Sequence, residues 1–307
     1  MEIQELHLSA PPKTRGGVAL ALGFFDGVHI GHVALLRQTV KEAKTLGVPP
    51  AVLTFHDRMP VKGGARLTGE EERFSLMEAC GIERIYVMTF DEVRHLAPDV
   101  FVKDVLVDLL DTRVALCGFN YRFGVMASGD APRLAREMEK YGRRAVSLRA
   151  TVTDGGVPVS STAIRALLEK GDVRGATKML GRPYTLSAPV LHGHAFGRTL
   201  GLPTINQTFP EGAQVPKNGV YVTKVYIDSK AYIGLTNVGT RPTVGGVGVN
   251  SETHILDFEG DLYGKTVRVA FVDYLREEIK FVTPDALRAQ VQKDIREVKT
   301  RDEYRMD

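Results

Sequence analysis

The sequence has little that would mark a secreted, membrane-bound or metal-scaffolded protein. Its 307 residues include two cysteines, Cys80 and Cys117, which stand in apolar surroundings without a Cys-x-x-Cys spacing. This pattern excludes a disulfide framework and a cysteine-based zinc site. No apolar run approaches the ~20 residues that cross a bilayer, and residues 1–7 carry acids where a signal peptide carries bases. We therefore expect a cytoplasmic enzyme or binding protein with no membrane segment.

Charge of one sign is also scarce. The 40 Lys and Arg stand against 37 Asp and Glu, which gives a formal net charge of +3. This is too small for a general nucleic-acid or membrane-binding surface, so any phosphate binding is local. Hydrophobic residues make up 43% of the chain and charged residues 25%, as in ordinary globular proteins. At this length two folded domains are expected.

The first half of the chain alternates short apolar runs with amphipathic stretches. This alternation is typical of parallel strands joined by crossover helices. The predicted strands are residues 18–24, 51–55, 85–88, 114–117 and 145–148. They predict an α/β domain with a doubly wound, Rossmann-like parallel sheet, in which ligands bind at the carboxyl ends of the strands. We expect functional residues in the loops after Phe24, Phe55, Cys117 and Leu148.

The second half has closely spaced β-branched runs that predict an antiparallel β-barrel. The predicted strands are residues 190–191, 220–227, 232–235, 253–258 and 266–274. A C-terminal helix follows, with Thr283 as N-cap and Pro284 at its first position. We expect its apolar side to cover an open edge or end of the barrel. The pattern changes at 181–183, so the predicted domains are residues 1–182 and 183–307.

The segment GFFDGVHIGH, residues 23–32, leads from the first predicted strand into a helix. Its spacing puts His29 and His32 on one face of the first helical turn, beside unpaired backbone N–H groups and the positive end of the helix dipole. Such donors suit nucleotidyl transfer from a triphosphate, which needs charge stabilisation and alignment more than covalent catalysis. The same spacing fits two surface or capping histidines, and spacing alone does not separate the two interpretations.

A second segment, VSSTAIR at residues 159–165, precedes an apolar run. Ser160 or Ser161 can cap a helix there. Arg165 would then lie in the first turn, where the helix dipole disfavours a cation, and a bound anion would offset that repulsion. An ordinary capped helix with a solvated Arg165 is the alternative.

A third segment, HGHAFGRTLGLPTIN at residues 192–206, joins a glycine-rich loop to a rigid Pro-Thr-x-Asn end. Glycine N–H groups can close around phosphates, and the oxygens of Thr204 and Asn206 suit magnesium. The chain has no GxxxxGK[ST] sequence, so a kinase here is not of the P-loop type. By composition alone the segment also fits a long hairpin loop.

Together these segments resemble a known family. Residues 23–32 and 159–165 look like the two signatures of the adenylyltransferase half of prokaryotic bifunctional riboflavin kinase and FMN adenylyltransferase, the FAD synthetase family. Residues 192–206 are similar to the riboflavin kinase signature GRxLGxPTAN and depart from it only at Ile205. The resemblance covers nearly the whole chain. It implies that the barrel domain phosphorylates riboflavin to FMN with ATP and Mg²⁺, and that the α/β domain adenylylates FMN to FAD with a second ATP.

For adenylyl transfer the resemblance implies catalytic roles for His32 and Arg165. The nucleotide contacts that it implies come from both motifs: Gly23, Phe24, Asp26, His29, His32, Ser160, Ser161, Thr162 and Arg165. Residues 118–124, GFNYRFG, resemble the family's Gly-x-Asn and Arg-Phe-Gly elements, which places Asn120 and Arg122 near the flavin. A simple Asn-Tyr turn is the alternative.

For phosphoryl transfer the resemblance implies that Glu252 takes the proton of the attacking hydroxyl. Taken alone, Glu252 also fits an exposed strand edge. The remaining roles that the resemblance implies are nucleotide contacts from Gly193, Gly197 and Arg198, magnesium ligation by Thr204 and Asn206, and a flavin contact from Arg276.

One segment departs from the family pattern. After the second strand the family carries Phe-x-Pro-His-Pro, whereas residues 54–60 of this chain are TFHDRMP. His56 or Arg58 can replace the missing element as a phosphate contact, or adenylyl transfer is slower or altered. The alternatives are therefore a flavin-binding protein in which at most the kinase half is active, and a different nucleotidyltransferase, such as a cytidylyl or pantetheine-phosphate enzyme. The second alternative does not account for the residues of the barrel.

Overall fold

The computed structural model describes residues 1–9, 16–57, 64–153, 155–193, 197, 200–243, 246–301 and 304. The chain divides into two compact units, Met1–Ser161 and Thr162–Asp307. Residues 162–182, which the sequence pattern assigns to the first domain, are thus grouped with the second unit. The domain boundary at residue 182 stays a prediction.

The first unit is a six-stranded parallel sheet with helical segments on both faces. Its strands are β1 (Glu2–Leu6), β2 (Val18–Leu22), β3 (Pro50–Phe55), β4 (Arg84–Met88), β5 (Thr112–Gly118) and β8 (Arg144–Leu148), and a small antiparallel pair is formed by β6 (Arg122–Phe123) and β7 (Gly129–Asp130). Its helices are α1 (Ile30–Leu46), α2 (Glu70–Ala79), α3 (Phe90–Val93), α4 (Pro98–Val100) and α5 (Ala131–Glu139), with a π-helical segment over Phe101–Leu109 and a 3-10 turn over Val125–Ala127.

The strand order is β1-β4-β3-β2-β5-β8. From β2 the chain moves outward through β3 and β4 on one side, and then returns to lay β5 and β8 on the other side. The direction in which successive strands are added to the sheet therefore reverses between β2 and β5. In parallel sheets of this kind, ligands bind at the carboxyl ends of the strands at that point. The predicted doubly wound fold is confirmed, and the loops after β2 and β5 lie at the reversal.

Strand β2 is buried on both of its faces, as expected for the centre of such a sheet. Ala19 and Ala21 pack in one core cluster with apolar residues of α1 and α2. Val18, Leu20 and Leu22 alternate with them and pack in a second cluster with the π-helical segment and α5. The turn that follows β2 is therefore attached to a strand that is buried on both faces.

The second unit contains an antiparallel sheet and a C-terminal helix. Helix α6 (Ser161–Glu169) begins at the last residue of the first unit, and the elements after it are α7 (Val173–Leu180), β9 (Tyr184–Pro189), β10 (Thr204–Thr208), β11 (Gly219–Ile227), β12 (Lys230–Thr243), β13 (Gly246–Ile255), β14 (Thr266–Arg276) and α8 (Pro284–Thr300). The order is β10-β13-β12-β11-β14-β9, and all neighbours are antiparallel. A β-bridge from Leu191 to Asn206 links the segment after β9 to β10, so the two ends of the sheet order meet and the sheet curves into a barrel.

Helix α8 has the predicted start. The Thr283 side chain accepts a hydrogen bond from the Ala286 N–H at 3.2 Å, and Pro284 is the first helical residue. Its Val298 packs with Val222 of β11 and Leu235 of β12. The helix therefore covers a face of the central strands. The expectation that it covers an edge or end of the barrel is wrong, because the outward face of these strands is itself apolar.

Candidate active sites

The turn between β2 and α1 holds strained backbone. Phe25 has φ 61° and Val28 has φ 37°, and positive φ is unfavourable for a bulky or β-branched residue. The Asp26 carboxylate, which is 4% exposed, accepts the Leu67 N–H at 2.9 Å and so ties the turn to the segment before α2. Such strain persists only where surrounding bonds hold it, and it is common at functional sites. The buried carboxylate of Asp26 thus holds the turn, and its negative charge would repel a phosphate.

Ser161 is also attached to this turn. Its Oγ donates to the Asp26 carbonyl oxygen at 2.9 Å. The structure therefore brings a serine of the second predicted signature into contact with the first signature, although 135 residues separate Ser161 from Asp26 in the chain. The sequence alone could not show this contact.

His29 and His32 lie together at the N-terminus of α1. His29 is the N-cap, and its Nδ1 accepts the His32 N–H at 3.2 Å. The two rings stack with centroids 3.6 Å apart, and Phe25 meets His32 edge-on at 5.2 Å. Because Nδ1 of His29 accepts, a neutral His29 ring carries its proton on Nε2 and donates from there. The capping interpretation thus holds for His29, and it fixes the donor that a phosphate could use.

His32 is a neutral group in this environment. Burial, with a smaller contribution from His29, holds the pKa of His32 well below its ordinary value. Its Nδ1 is buried and has no hydrogen-bond partner among the residues that the structure describes. His32 therefore offers a hydrogen bond to a ligand, not a fixed positive charge.

Gly31, between the two histidines of the motif, stands where there is little room for a side chain. A Cβ at Gly31 would stand 3.2 Å from Cε1 and Nδ1 of His29 and 3.4 Å from Oγ1 of Thr151. The 3.2 Å contacts are tight, so a side chain at this position would require the capping ring to shift by a few tenths of an ångström.

Helix α6 differs from the expectation in one respect. It begins at Ser161, with Ser160 at the preceding position, so Arg165 is its fifth residue and lies beyond the first turn. The dipole acts mainly within the first turn, so the argument from repulsion is weaker than expected. The alternative of a solvated arginine is wrong, because Arg165 is only 5% exposed. Thr162 and Arg165 belong to the second unit.

Asn120 and Arg122 follow β5, on the strand next to β2. The Tyr121 N–H donates to the Gly118 carbonyl at 3.1 Å, which forms the turn that the alternative interpretation expected. Both predicted side chains are exposed, and an Arg122 nitrogen lies 3.7 Å from the Asp130 carboxylate. The turn presents them at the carboxyl end of β5, at the point where the order of the strands in the sheet reverses.

In the segment that departs from the family pattern, residues 54–60, the His56 ring lies beside two carboxylate side chains. Nε2 of His56 lies 3.1 Å from Glu5, and its Nδ1 lies 3.3 Å from Glu70. Two carboxylates at this ring disfavour a phosphate there, so the structure does not support His56 as the replacement contact. Arg58 and the rest of the loop to Pro60 lie outside the described residues.

In the second unit the strand register builds a line of side chains. Asn206 of β10 lies opposite Glu252 of β13, which lies opposite Asn237 of β12. Asn237 lies opposite Val220 of β11, which pairs with Arg276 of β14. Directly opposed residues share a face of the sheet. At about 4.8 Å per strand, the line runs ~19 Å from the Asn206 backbone to the Arg276 backbone.

This line borders a cavity of about 340 Å³. Five residues predicted to act in this half line it: Gly197, Thr204, Asn206, Glu252 and Arg276. Helix α8 closes another side with Leu287, Val291 and Asp294. Thr204 and Asn206 are two apart on β10, so their side chains leave the strand on the same face. The long hairpin loop therefore ends in a strand, which aims both oxygens into the cavity.

The glycines of the loop are needed for close approach. A Cβ at Gly193 would stand 2.5 Å from Nδ2 of Asn206, and one at Gly197 would stand 2.4 Å from the Leu202 carbonyl oxygen. Because Gly193 has no side chain, the amide of Asn206 has room at this position. Arg198, the other predicted nucleotide contact of this loop, lies outside the described residues.

Arg276 lines the cavity but is already paired. Its Nη2 donates to Asp294 at 2.7 Å and its Nε donates to the same carboxylate at 3.0 Å, while Gln290 donates to Asp294 at 2.8 Å. Asp294 is 2% exposed. A bidentate pair of this kind fixes the guanidinium plane. Arg276 therefore fastens α8 to the end of β14 and presents only its remaining N–H groups to a ligand.

Asn237 and Asp294 are among the cavity residues that were not predicted from the sequence. Asn237 lies beside Glu252 in the register and donates from Nδ2 to Glu278 at 3.0 Å. Asp294 gave no signal because it stands on an amphipathic helix among other charged residues.

Two family models match the chain, and each falls on one of these sites. A riboflavin kinase model matches residues 180–301, and an FAD synthetase model matches residues 12–163. The bifunctional riboflavin kinase/FMN adenylyltransferase of Escherichia coli strain K12 is 36% identical over 302 residues, which is 95% of each chain. The chain belongs to this bifunctional family.

Other members are similar over the same extent. The bifunctional riboflavin kinase/FMN adenylyltransferase of Bacillus subtilis strain 168 is 31% identical over 309 residues, covering 96% of this chain and 97% of its own. A solved structure described as a macrolide-efflux protein from Streptococcus pneumoniae has a TM-score of 0.86 and 28% identity, covering 96% of this chain and 98% of its own. In the described part of the chain, no helix combines the length and apolarity that a membrane span requires.

Proposed function

We propose that this member of the bifunctional riboflavin kinase/FMN adenylyltransferase family makes FMN in its second unit and FAD in its first. ATP is the phosphoryl donor in the first reaction and the adenylyl donor in the second. The observation that carries the kinase assignment is the line of Asn206, Glu252 and Asn237 across neighbouring strands at one cavity. That line sets a hard oxygen ligand, a carboxylate and an amide side by side.

In the kinase reaction the riboflavin 5′-hydroxyl attacks the γ-phosphorus of ATP, and ADP leaves. Glu252 lies between Asn206 on one side and Asn237 on the other, so its carboxylate faces the space between the nucleotide end and the flavin end of the cavity. It accepts the hydroxyl proton as the new P–O bond forms. Arg276 and the apolar side chains of α8 hold the flavin end.

The residues present fit a magnesium ion at the other end. The Thr204 hydroxyl and the Asn206 amide oxygen are hard donors, and both line the cavity. The absence of a side chain at Gly193 leaves the space that the Asn206 amide occupies, since a Cβ there would stand 2.5 Å from Nδ2. Magnesium bound there would neutralise charge on the ATP phosphates. Gly197 belongs to the same wall, where its backbone would be open to the ATP phosphates.

In the adenylyl transfer a phosphate oxygen of FMN attacks the α-phosphorus of ATP, and pyrophosphate leaves. Negative charge grows on the phosphate oxygens and the leaving group. The N-terminus of α1 and the Nε2–H of His29 supply donors for this charge, and His32 adds a neutral hydrogen-bonding ring. Phosphate contacts from Gly23, Phe24, Ser160, Thr162 and Arg165, and flavin contacts from Asn120 and Arg122, remain proposals from the resemblance.

One incubation tests this function. The protein is mixed with riboflavin, ATP and Mg²⁺, and the flavins are separated by chromatography over time. We expect FMN to appear first and FAD to follow. A flavin-binding protein without turnover would leave riboflavin unchanged, and a protein with an inactive first unit would stop at FMN.

Gly193→Ala is expected to weaken magnesium binding in the kinase site. Its Cβ would stand 2.5 Å from Nδ2 of Asn206, so the amide must move. A displacement of this size at a positioned group costs on the order of 10²-fold in rate. The measurement is riboflavin phosphorylation as a function of Mg²⁺ concentration, in which we expect a lower maximum and a higher half-saturating Mg²⁺.

Gly155→Ala is the matched control. The nearest atom to its added Cβ would be Oγ1 of Thr153 at 3.9 Å, so the substitution should be accommodated. If both variants have the wild-type Mg²⁺ dependence, the role assigned to the Asn206 amide is incorrect.

A further inference from the structure

Arg73 on α2 is a fully buried arginine that the family motifs do not include. Its exposure is 0%, and it is the largest of the completely buried side chains in the described part of the chain. A charged group is taken out of water only where bonds and opposite charges compensate for the loss. The contacts of Arg73 therefore show what the fold uses it for.

Its guanidinium joins the carboxyl ends of two strands. Nη1 donates to the Phe24 carbonyl at 2.7 Å and lies 3.3 Å from Oγ1 of Thr54, while Nη2 donates to the Phe55 carbonyl at 2.9 Å. The guanidinium carbon also lies 4.3 Å from the centre of the Phe24 ring. One side chain thus fastens Phe24, the second residue after β2, to the last residues of β3.

Two carboxylates balance the charge. Nη2 lies 3.2 Å from Asp57 and 3.5 Å from Glu70. Asp57 belongs to the segment that departs from the family pattern. Burial raises the pKa of Asp57, and Arg73 acts against that shift. The departing segment is therefore built into the support of the turn through this ion pair.

The anchored carbonyl directly precedes the strained turn. Phe25, with φ 61°, follows Phe24, and the turn ends at the His29 cap. Without a donor at the Phe24 carbonyl, the turn can relax and move the histidine pair. Two further bonds of the turn, from the Leu67 N–H to Asp26 and from the Gly27 N–H to Thr68, are made with the segment just before α2, while Ser161 donates to the Asp26 carbonyl from another part of the chain. Arg73 thus adds to the anchors that residues 67–73 provide for the turn.

We propose that Arg73 is a positioning residue for adenylyl transfer: it holds the turn at residues 24–28 so that His29 and His32 stay in register with the phosphates. The proposal rests on the assignment of FAD formation to the first unit. Arg73 itself touches no substrate. Its loss should lower the turnover number while leaving the affinity for ATP and FMN nearly unchanged, because the binding surfaces remain and only the alignment is lost.

Arg73→Met and Arg73→Lys test this role in the full-length protein. Methionine removes every donor, and we expect kcat of FAD formation to fall about 100-fold, as for the loss of hydrogen bonds to a charged group. Lysine keeps the charge and can reach a carbonyl, but it lacks the fork that bridges Phe24 and Phe55, so we expect partial recovery to about 5- to 10-fold below wild type. KM for ATP and FMN should change by less than about threefold. The imidazole NMR signals of His29 and His32 should shift in both variants.

Two controls accompany these variants. Arg84→Lys changes a partly buried arginine of the same unit, at the amino end of β4, that pairs with Glu2 at 3.4 Å, and it should have wild-type FAD formation. Riboflavin phosphorylation by each variant reports on the second unit and should stay within about twofold of wild type, because Arg73 does not contact the kinase cavity.

The outcomes separate the proposal from the function on which it rests. If wild-type protein makes no FAD from FMN, the assignment of adenylyl transfer fails. If wild type makes FAD and soluble Arg73→Lys has wild-type kcat and unchanged histidine signals, the positioning role is overturned. Should Arg73→Met not fold, Arg73→Lys alone decides. A rise in KM with unchanged kcat would also contradict the proposal, since it would indicate a role in binding.

Discussion

Glu252→Gln is expected to remove FMN formation while the same protein still converts supplied FMN to FAD. The amide has the shape of the carboxylate but cannot accept the proton of the riboflavin hydroxyl. A positioned general base contributes about 10²–10⁴-fold, so the rate of phosphorylation should fall by that factor. The measurement is the rate of FMN appearance from riboflavin and ATP, with FAD formation from FMN followed in a parallel reaction.

Glu259→Gln is the control for this variant. It removes a carboxylate four residues beyond the end of β13, at an exposed position outside the cavity lining. Both of its activities should equal those of wild type. Equal losses of the two activities in Glu252→Gln would contradict the assignment of two separate sites, and an unchanged rate of phosphorylation would remove Glu252 as the base.

His32→Ala has the opposite expected result, with FAD formation lost and riboflavin phosphorylation kept. The substitution removes a neutral ring that stacks on His29 at 3.6 Å and that carries an unused hydrogen-bonding nitrogen. Loss of one hydrogen bond that stabilises developing charge costs about 10²–10³-fold. FAD formation from FMN and ATP should fall by this factor, with the kinase rate measured in the same preparation.

His95→Ala provides the comparison within the first unit. His95 is exposed and accepts a hydrogen bond from its neighbour Arg94 at 3.0 Å, away from α1. It should leave both reactions unchanged. A kinase rate that fell in parallel with FAD formation in His32→Ala would indicate a general loss of folding, and full FAD formation would exclude His32 from the reaction.

The altered segment after β3 has a structural explanation in this chain. His56 and Asp57 take part in a charged cluster with Glu5, Glu70 and Arg73. The family assignment supports both activities, and nothing supports the alternative in which the kinase half alone is active. The rival of another nucleotidyltransferase shares the histidine pair but leaves the riboflavin kinase match at 180–301 without explanation.

The strands of the first unit were predictable where burial is two-sided. The apolar runs at β2, β3, β4 and β5 each gave a strand, because strands covered on both faces must be apolar along their length. Strand β8 lies at the edge of the sheet and is only partly buried, but its apolar Ala145, Val146 and Leu148 still marked it. Strand β1, EIQEL, was missed. It lies at the edge of the sheet and is largely exposed, so its polar residues carry no such signal.

Two strands of the second unit, β9 and β10, were not predicted from the sequence, for related reasons. Strand β10, TINQT, is largely polar because Thr204 and Asn206 line the cavity and Gln207 donates to two backbone carbonyls, so its residues looked like the end of a loop. Strand β9 pairs only with β14 at the other end of the sheet order, and the proline at its end masked it. Functional strands thus lose the apolar pattern that makes ordinary strands visible.

The sequence by itself determined the local structures: the glycine turn before α1, the caps at His29 and Thr283, the alternation that divides the two units, and the motifs that indicate the family. These depend on neighbours within a few residues, so the order of amino acids specifies them directly. Only the tertiary structure decided the line from Asn206 through Glu252 to Arg276, the capture of Arg276 by Asp294, and the reach of Arg73 to two strand ends. Each joins residues far apart in the chain, and strand register and side-chain packing set such contacts only when the whole unit folds.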